Sequence, residues 1–290
     1  FTLRASAEGG DFQGSEHTRL ETILAAARSG ADFVDIEFSA SWKTVVDAVG
    51  RLRVILSHHL FEGVPEDLNP ILESMAATGA GTLKIATTAR RLADNLTIAR
   101  VLERAKAKGL NLCALAIGIR GVPSRILGPS WGSWMTFASL PGGEATAEGQ
   151  MAADVLINQY RVRQISSGTR VYGVLGRPLA HSLSPQLHNA AFAARDLDAV
   201  YLPLEADTFD DFLRFHASIP VFGASVTIPY KEAAHTSARS LSVEASDTRA
   251  VNTLVLRDAG WHGENTDVAA FAGPLLGRVP LDGMQAVVLG

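Results

Sequence analysis

Lys84 stands inside an apolar run, between Leu83 and Ile85, and a lysine so placed has chemistry open to it that a surface lysine lacks. Desolvation disfavours the ammonium and lowers its pKa from about 10.4, so burial in a strand yields a neutral amine. Such an amine attacks a ketone, and the resulting imine draws electrons from the neighbouring carbon so that a base can remove its proton. His59, at the end of the run RVILSHH, is the residue type suited to be that base. Taken singly, each residue has a plainer explanation: Lys84 as a solvated strand-end charge, His59 as a hydrogen-bonded structural imidazole, Glu8 as a loop carboxylate. Arg4, Glu8, His59, Lys84, Arg125 and Gln150, however, all end, interrupt or follow successive apolar runs. In a barrel, that places them together at one end.

A second group lies downstream. Ser182 and Ser184 precede Pro185, so two hydroxyls at i and i+2 stand before a proline-led helix, where donors and a positively polarised helix end meet an anion. Thr227 and Lys231 fall in SVTIPYKE, Asn252 in VNTLV and Asp267 in ENTD. Here too each has a plain reading, with Ser184 and Asp267 as N-caps, Lys231 as a solvated helix charge and Asn252 as a turn residue.

Elements of two kinds must carry these residues. From Phe1 to about Ser139 the runs FTLRA, FVDIEF, RVILSHH, TLKIATT, LCALAIG and WMTFASL have strand length and alternate with helix-period segments. Leu20, Ile23, Leu24 and Ala27 form one helical stripe stopped by Gly30, and Leu92, Leu96, Ala99 and Leu102 form another, ended by Lys106, Lys108 and Gly109. Six βα-like units are legible, whereas a (β/α)8 TIM-type barrel needs eight, so about 60 residues of such a barrel would precede Phe1. Residues 149–160 read as a closing helix, and a polar connector leads to a second α/β region with strands VYGVLG, AVYLPLE, GASVTIP and VNTLVLR. The expected division is 1–164, 165–280 and 281–290, the last opening with AVVLG, the kind of buried strand that precedes a glycine-rich dinucleotide loop. The chain thus reads as a piece cut at both ends.

Composition limits what such a chain does. At 290 residues, 47% hydrophobic and 19% charged, it has the make-up of a folded two-domain protein, which excludes disordered and fibrous classes. A net charge of -4 with scattered Lys and Arg argues against nucleic acid, and the lack of a long apolar run argues against a membrane span. The single cysteine, Cys113, excludes an intrachain disulfide and suits a reducing cytoplasm.

The motifs RASAEGG, ILSHHLF, TLKIATT, GVPSRILGPSWGSWMTFAS and the terminal EGQ, in this order, resemble those of type I 3-dehydroquinate dehydratases. The resemblance implies Lys84 as Schiff-base lysine, His59 as general acid/base, Glu8 as the carboxylate orienting it, Arg125 as the substrate-carboxylate arginine, and Arg4 and Gln150 as further substrate contacts. The implied reaction is loss of water from 3-dehydroquinate to 3-dehydroshikimate, with no cofactor and no metal. GVLGRPLAHSLSPQLHN, SVTIPYKE, VNTLV and ENTD are similar to the substrate-binding motifs of shikimate dehydrogenases. That resemblance implies Lys231 and Asp267 as catalytic pair, Ser182, Ser184, Thr227 and Asn252 as substrate binders, and NADP(H) as cofactor, its glycine-rich loop lying beyond Gly290. Ser225 departs from the family's usual asparagine and Leu60 from its usual polar residue. The expected partners are small molecules: 3-dehydroquinate, 3-dehydroshikimate and shikimate. Quinate-type specificity, a Schiff-base aldolase fused to a quinate-type dehydrogenase and a catalytically silent metabolite-binding regulator are the alternatives; the last would be marked by loss of Lys84, His59 or Lys231, all present.

Overall fold

The computed structural model describes residues 1–276 together with 278, 283, 285 and 287. Helix α1 (Glu16–Arg28) begins where the Ser15 side chain accepts the Thr18 amide at 3.1 Å, and the chain turns out of it at Gly30, whose φ of +103° suits a residue without Cβ. Four βα units follow. Their elements are β1 (Val34–Glu37), α2 (Trp42–Val49), β2 (Val54–Leu60), α3 (Asn69–Ala76), β3 (Thr82–Thr88), α4 (Asn95–Ala107), β4 (Leu112–Ile117) and α5 (Val122–Trp131). The strands form one parallel sheet in the order β1-β2-β3-β4, an arc of barrel wall with the helices packed outside.

Alternation along β3 sorts its residues onto two faces. Leu83 and Ile85 join the large core beneath the helices, with Ile36, Leu56, Ile98 and Leu102. Each such side chain, fully buried, contributes about 1.5–3 kcal/mol. Ala86 belongs to a separate small cluster with Cys113 and Leu115, packed by Ile117, Met135 and Phe137. Lys84 shares that inner face, level with Ser57 on β2 and Cys113 on β4.

Two of the six expected strands do not form ladders. FTLRA touches β1 through an isolated Thr2–Asp35 bridge and the Asp35 amide donating to the Phe1 carbonyl at 2.9 Å. WMTFASL is held by the Trp134 amide on the Leu112 carbonyl, 2.9 Å, and by a Ser139–Ala152 bridge. Both runs flank the sheet and have few strand neighbours, so apolar sequence alone does not complete their hydrogen bonding. The closing helix expected over 149–160 is shorter, a π-turn at Val155–Gln159, because Ala152 is engaged in that bridge and Gly149 sits at φ +74°.

The second region contains β5 (Arg170–Gly176), α6 (Ser184–Ala194), β6 (Ala199–Glu205), α7 (Phe209–Ser218), β7 (Val221–Val226), α8 (Lys231–Ser237), β8 (Ser240–Leu241), α9 (Val243–Thr248), β9 (Thr253–Arg257), β10 (Gly260–Glu264) and α10 (Thr266–Ala272). Its mixed sheet runs β6-β5-β7-β9-β10-β8, parallel across the first three strands and antiparallel at β7-β9 and β9-β10. The four expected strands are present. The β9–β10 hairpin and the short β8 add to them; β10 buries only Trp261 and Gly263, too sparse an apolar signal to read as a strand. One contiguous apolar cluster includes Leu92, Val122 and Ile126 of the first region and Phe209, Phe212 and Phe215 of the second. Of the expected strand over 286–290, all but Val287 lies outside the described residues. No helix among the described residues is long and apolar enough to cross a membrane.

Candidate active sites at two strand ends

The inner face of the first sheet collects buried charge. Lys84 Nζ lies 3.1 Å from Asp35 Oδ2, the Ser57 hydroxyl donates to Asp35 Oδ1 at 2.6 Å, and Arg4 Nη2 approaches the same carboxylate at 3.5 Å. Lys84 and Asp35 are only 6% and 3% exposed. Burial alone would raise the Asp35 pKa, but the charges of Lys84 and Arg4, with hydrogen bonds from Ser57 and Lys84, outweigh it and hold the carboxyl below its ordinary value. Lys84 is therefore not the isolated amine in an apolar strand that its sequence neighbours suggest; a carboxylate partners it, and its ammonium also lies 4.0 Å from the Phe137 ring centre.

His59 follows two residues after Ser57 on the same face of β2. Its Nδ1 lies 2.9 Å from Glu8 Oε2, while Arg4 Nη1 lies against both ring nitrogens, 2.6 Å from Nδ1 and in contact with Nε2. A proton on Nδ1 given to Glu8 leaves the Nε2 lone pair free to accept, the tautomer that the Glu8 bond favours. Burial lowers the His59 pKa; the Glu8 bond works against this, and the charges of Arg4 and Lys84 reinforce it, so the ring stays neutral to lower pH than a free imidazole. Glu8, in a short 3-10 turn at Ser6–Glu8, is pushed upward by burial but held low overall by hydrogen bonds from His59 and Ser39. Arg4 thus joins the two halves of the site, touching the partner of Lys84 and the imidazole of His59.

Arg125, in the first turn of α5, is 2% exposed, and its Nε has no hydrogen-bond partner among the described residues. Burial brings its pKa down to about 10. A buried guanidinium with an unmet donor is costly unless an anion completes it. Gln150 does not join the cluster; its side-chain oxygen accepts from the Thr146 amide, 2.7 Å, and hydroxyl, 3.0 Å, within its own loop.

The second group assembles more openly. Lys231 Nζ meets Asp267 Oδ2 at 2.6 Å, and Asn252 Nδ2 donates to Asp267 Oδ1 at 2.8 Å and to the Thr266 hydroxyl at 2.9 Å. The Lys231 hydrogen bond is the main reason that the Asp267 carboxyl sits below its ordinary pKa. Asp267 is not the N-cap that its position in ENTD suggests. Asn265 takes that role, accepting the Asp267 amide at 3.1 Å, which leaves the Asp267 carboxylate for Lys231 and Asn252. Ser184 likewise begins α6 rather than capping it; Leu183 occupies the cap, and the Ser184 amide reaches the Ser182 hydroxyl at 3.4 Å. Thr227 lies beside the turn leading to those serines, where a Cβ on Gly176 would fall 2.3 Å from Thr227 Cγ2.

Asp35, Ser57 and Ser39 carry much of the first site without having been assigned a role from sequence. A signal existed: in FVDIEF, two carboxylates alternate along a strand, which puts both on one face.

Residues 1–167 match the family Type I 3-dehydroquinase, and residues 174–254 match the shikimate dehydrogenase substrate binding domain. The chain is 36% identical over 275 residues to the chloroplastic bifunctional 3-dehydroquinate dehydratase/shikimate dehydrogenase of Arabidopsis thaliana, covering 92% of this chain and 45% of that one. It is 38% identical over 166 residues to a 3-dehydroquinate dehydratase of Dehalococcoides mccartyi, covering 55% of this chain and 73% of the relative. Among solved structures, dehydroquinate dehydratase and shikimate dehydrogenase from S. pombe AroM aligns with a TM-score of 0.50 and 30% identity, covering 97% of this chain and 55% of that one. The chain therefore spans about half the length of its bifunctional relatives.

Proposed function

The chain belongs to the type I 3-dehydroquinase family, followed by the substrate-binding domain of a shikimate dehydrogenase, and from that premise we propose that it supports two consecutive steps of the shikimate pathway. In the first, Lys84 passes one ammonium proton to the carbonyl oxygen of 3-dehydroquinate as its nitrogen adds at carbon three, and loss of water leaves a protonated imine. His59 Nε2, neutral and held by Glu8, then takes the proton from carbon two. It returns that proton to the hydroxyl leaving carbon one, and hydrolysis of the imine releases 3-dehydroshikimate and frees Lys84. Asp35 holds the Lys84 nitrogen in place and faces the positive iminium, while Arg125 receives the substrate carboxylate. Arg4 gives up its contact with His59 Nε2 as substrate enters; Gln150 would have to leave Thr146 to reach the substrate.

In the second step Lys231 and Asp267 hold and move the proton at the oxygen on carbon three of the substrate, with Ser182, Ser184, Thr227 and Asn252 as its binders. NADP(H), named for the shikimate dehydrogenase relatives, would supply or accept the hydride; the described residues contain no glycine-rich dinucleotide turn. We place the division between the two functions near residue 165 and the protein in the cytoplasm, where a single buried thiol such as Cys113 is at home.

The observation carrying the first step is the single network in which Arg4 links the Lys84–Asp35 pair to the His59–Glu8 pair. The test is borohydride reduction of the full-length protein with 3-dehydroquinate, which should attach the substrate's mass at Lys84; Lys84→Ala should abolish dehydration. Full turnover in that variant would reject the mechanism.

A further inference from the structure

The donors at the start of the segment leading into α4 are shared between two aspartates, one from each region. The Arg90 and Arg91 amides both donate to Asp94 Oδ2 at 2.8 Å, within the same segment. The next two amides turn elsewhere. Leu92 donates to Asp211 Oδ2 at 2.8 Å and Ala93 to Asp211 Oδ1 at 2.9 Å, across 119 and 118 residues. Asp211 lies in the first turn of α7, is 4% exposed, and also accepts the Asp207 amide at 3.0 Å. A helix start leaves its first amides without intrahelical partners, and buried amides need acceptors. Here the acceptor comes from the other region.

Asp207 extends the contact. Its Oδ1 meets Arg120 Nη2 at 3.4 Å and Arg177 Nη1 at 2.9 Å. Arg120 follows β4 and leads into the helix that carries Arg125, while Arg177 begins the loop that runs to Ser182 and Ser184. That loop is tied down again where the Leu179 amide donates to Glu205, 2.9 Å, at the end of β6. Through the segment that follows β6, the seam therefore joins the loops that follow β3 and β4 to the loop that follows β5.

We propose that Asp211 and Asp207 clasp the two regions into one rigid unit, so that the barrel side holds the Ser182–Ser184 loop in position. Asp211 serves as the remote cap of the α4 entry. Asp207 serves as a positioning residue, acting on the serine loop through Arg177 and anchored to the barrel by Arg120. The two regions are then not independent bodies on the connector near residue 165, and a change on the barrel surface is felt in the other region.

Amide hydrogen exchange on the full-length protein tests this without depending on either activity. Asp211→Ala should speed exchange at Leu92 and Ala93 by at least about 10-fold while Ile85 and Ile98 keep their protection; Asp211→Asn, which retains one acceptor, should fall between. Arg120→Met removes the barrel's ion pair together with the Arg120 hydrogen bond to the Arg90 carbonyl, which lies on the barrel side, and it should speed exchange over 179–184 several-fold although both Arg120 and Arg90 lie outside that region. If Asp211→Ala does not fold, the Asn and Arg120→Met variants carry the test. Unchanged exchange at Leu92 and Ala93 in the Asp211 variants, or over 179–184 in Arg120→Met, overturns the clasp. A kinetic arm rests on the function proposed above: Arg120→Met should raise the dehydrogenase KM several-fold with kcat held. Faster exchange with an unchanged KM would overturn the positioning of the serines while leaving the dehydratase assignment untouched.

Discussion

Two lysine–aspartate pairs stand in this chain in opposite surroundings. Lys84–Asp35 is closed off on the inner face of a parallel sheet, its side chains 8% and 3% exposed, and it is hydrogen-bonded further by Ser57 and approached by Arg4. Lys231–Asp267 stands open, its side chains 38% and 59% exposed. A buried pair is stabilising only as a whole, because removing one partner strands the other in low dielectric. An exposed pair is screened by water and contributes little to stability whatever it contributes to chemistry. With the roles proposed above, the same residue types would couple catalysis to folding at the first site and leave the two separate at the second.

The contrast should be sharpest in the effect of single substitutions on rate and stability together. Lys231→Ala should lower dehydrogenase turnover by about 10²–10⁴-fold, with a urea unfolding midpoint close to that of the parent; a large fall in stability would break the comparison. Asp35→Ala should destabilise by about 3–5 kcal/mol, since it leaves Lys84 and Arg4 facing each other without a carboxylate. Asp267→Ala should cost no more than about 1 kcal/mol. Equal losses in the two variants would show that burial is not what separates the sites.

Dependence on pH sharpens the comparison further. Asp35 and Glu8 have folded-state pKa values below their ordinary ones, so the stability they lend is present above those ordinary values and is lost as pH falls through the depressed ones. Parent and Asp35→Asn unfolding curves should converge on acidification below about pH 4, whereas parent and Asp267→Asn should lie close together throughout. In dehydratase rate profiles, the acid limb attributed to His59 should fall below about pH 6.5. Because the Glu8 bond raises the imidazole pKa, Glu8→Gln should move that limb lower still while reducing the rate. The smallest effect expected is that of salt: raising ionic strength should weaken the exposed Lys231–Asp267 pair and leave Lys84–Asp35 nearly unaltered, measured as the salt dependence of stability in Asp267→Asn and Asp35→Asn relative to the parent.

What could be read beforehand follows the range of the forces involved. Strands β1 to β4 were legible as apolar runs of strand length, and α1 and α4 by their own stripes and stop signals, such as Ile23 and Ala27 with Gly30. The flanking runs FTLRA and WMTFASL look equally strand-like, yet their hydrogen bonds depend on neighbours that local sequence does not describe. Lys84, His59 and Glu8 were legible as residue types that interrupt, end or follow apolar runs, and the structure draws them into one network. Asp35 stood in plain view in FVDIEF, but its ownership of Lys84 depends on the register between strands 49 residues apart. At the second site, Asn265 and Asp267 compete for one cap, and the choice appears only with the backbone in place.

Sequence by itself determined the chemical inventory: a lysine set in an apolar strand, an imidazole and a carboxylate in barrel order, two hydroxyls before a proline-led helix, and the alternation that makes these α/β layers. Those are properties of residue type and local spacing, which act over a few residues. Tertiary structure decided the partnerships, giving Asp35 to Lys84, leaving Arg125 Nε without a partner among the described residues, turning Gln150 onto its own loop and setting Asp211 across the seam onto Leu92 and Ala93. Electrostatic and hydrogen-bond energies depend on separations of a few ångströms and on the loss of water around them, and folding sets both.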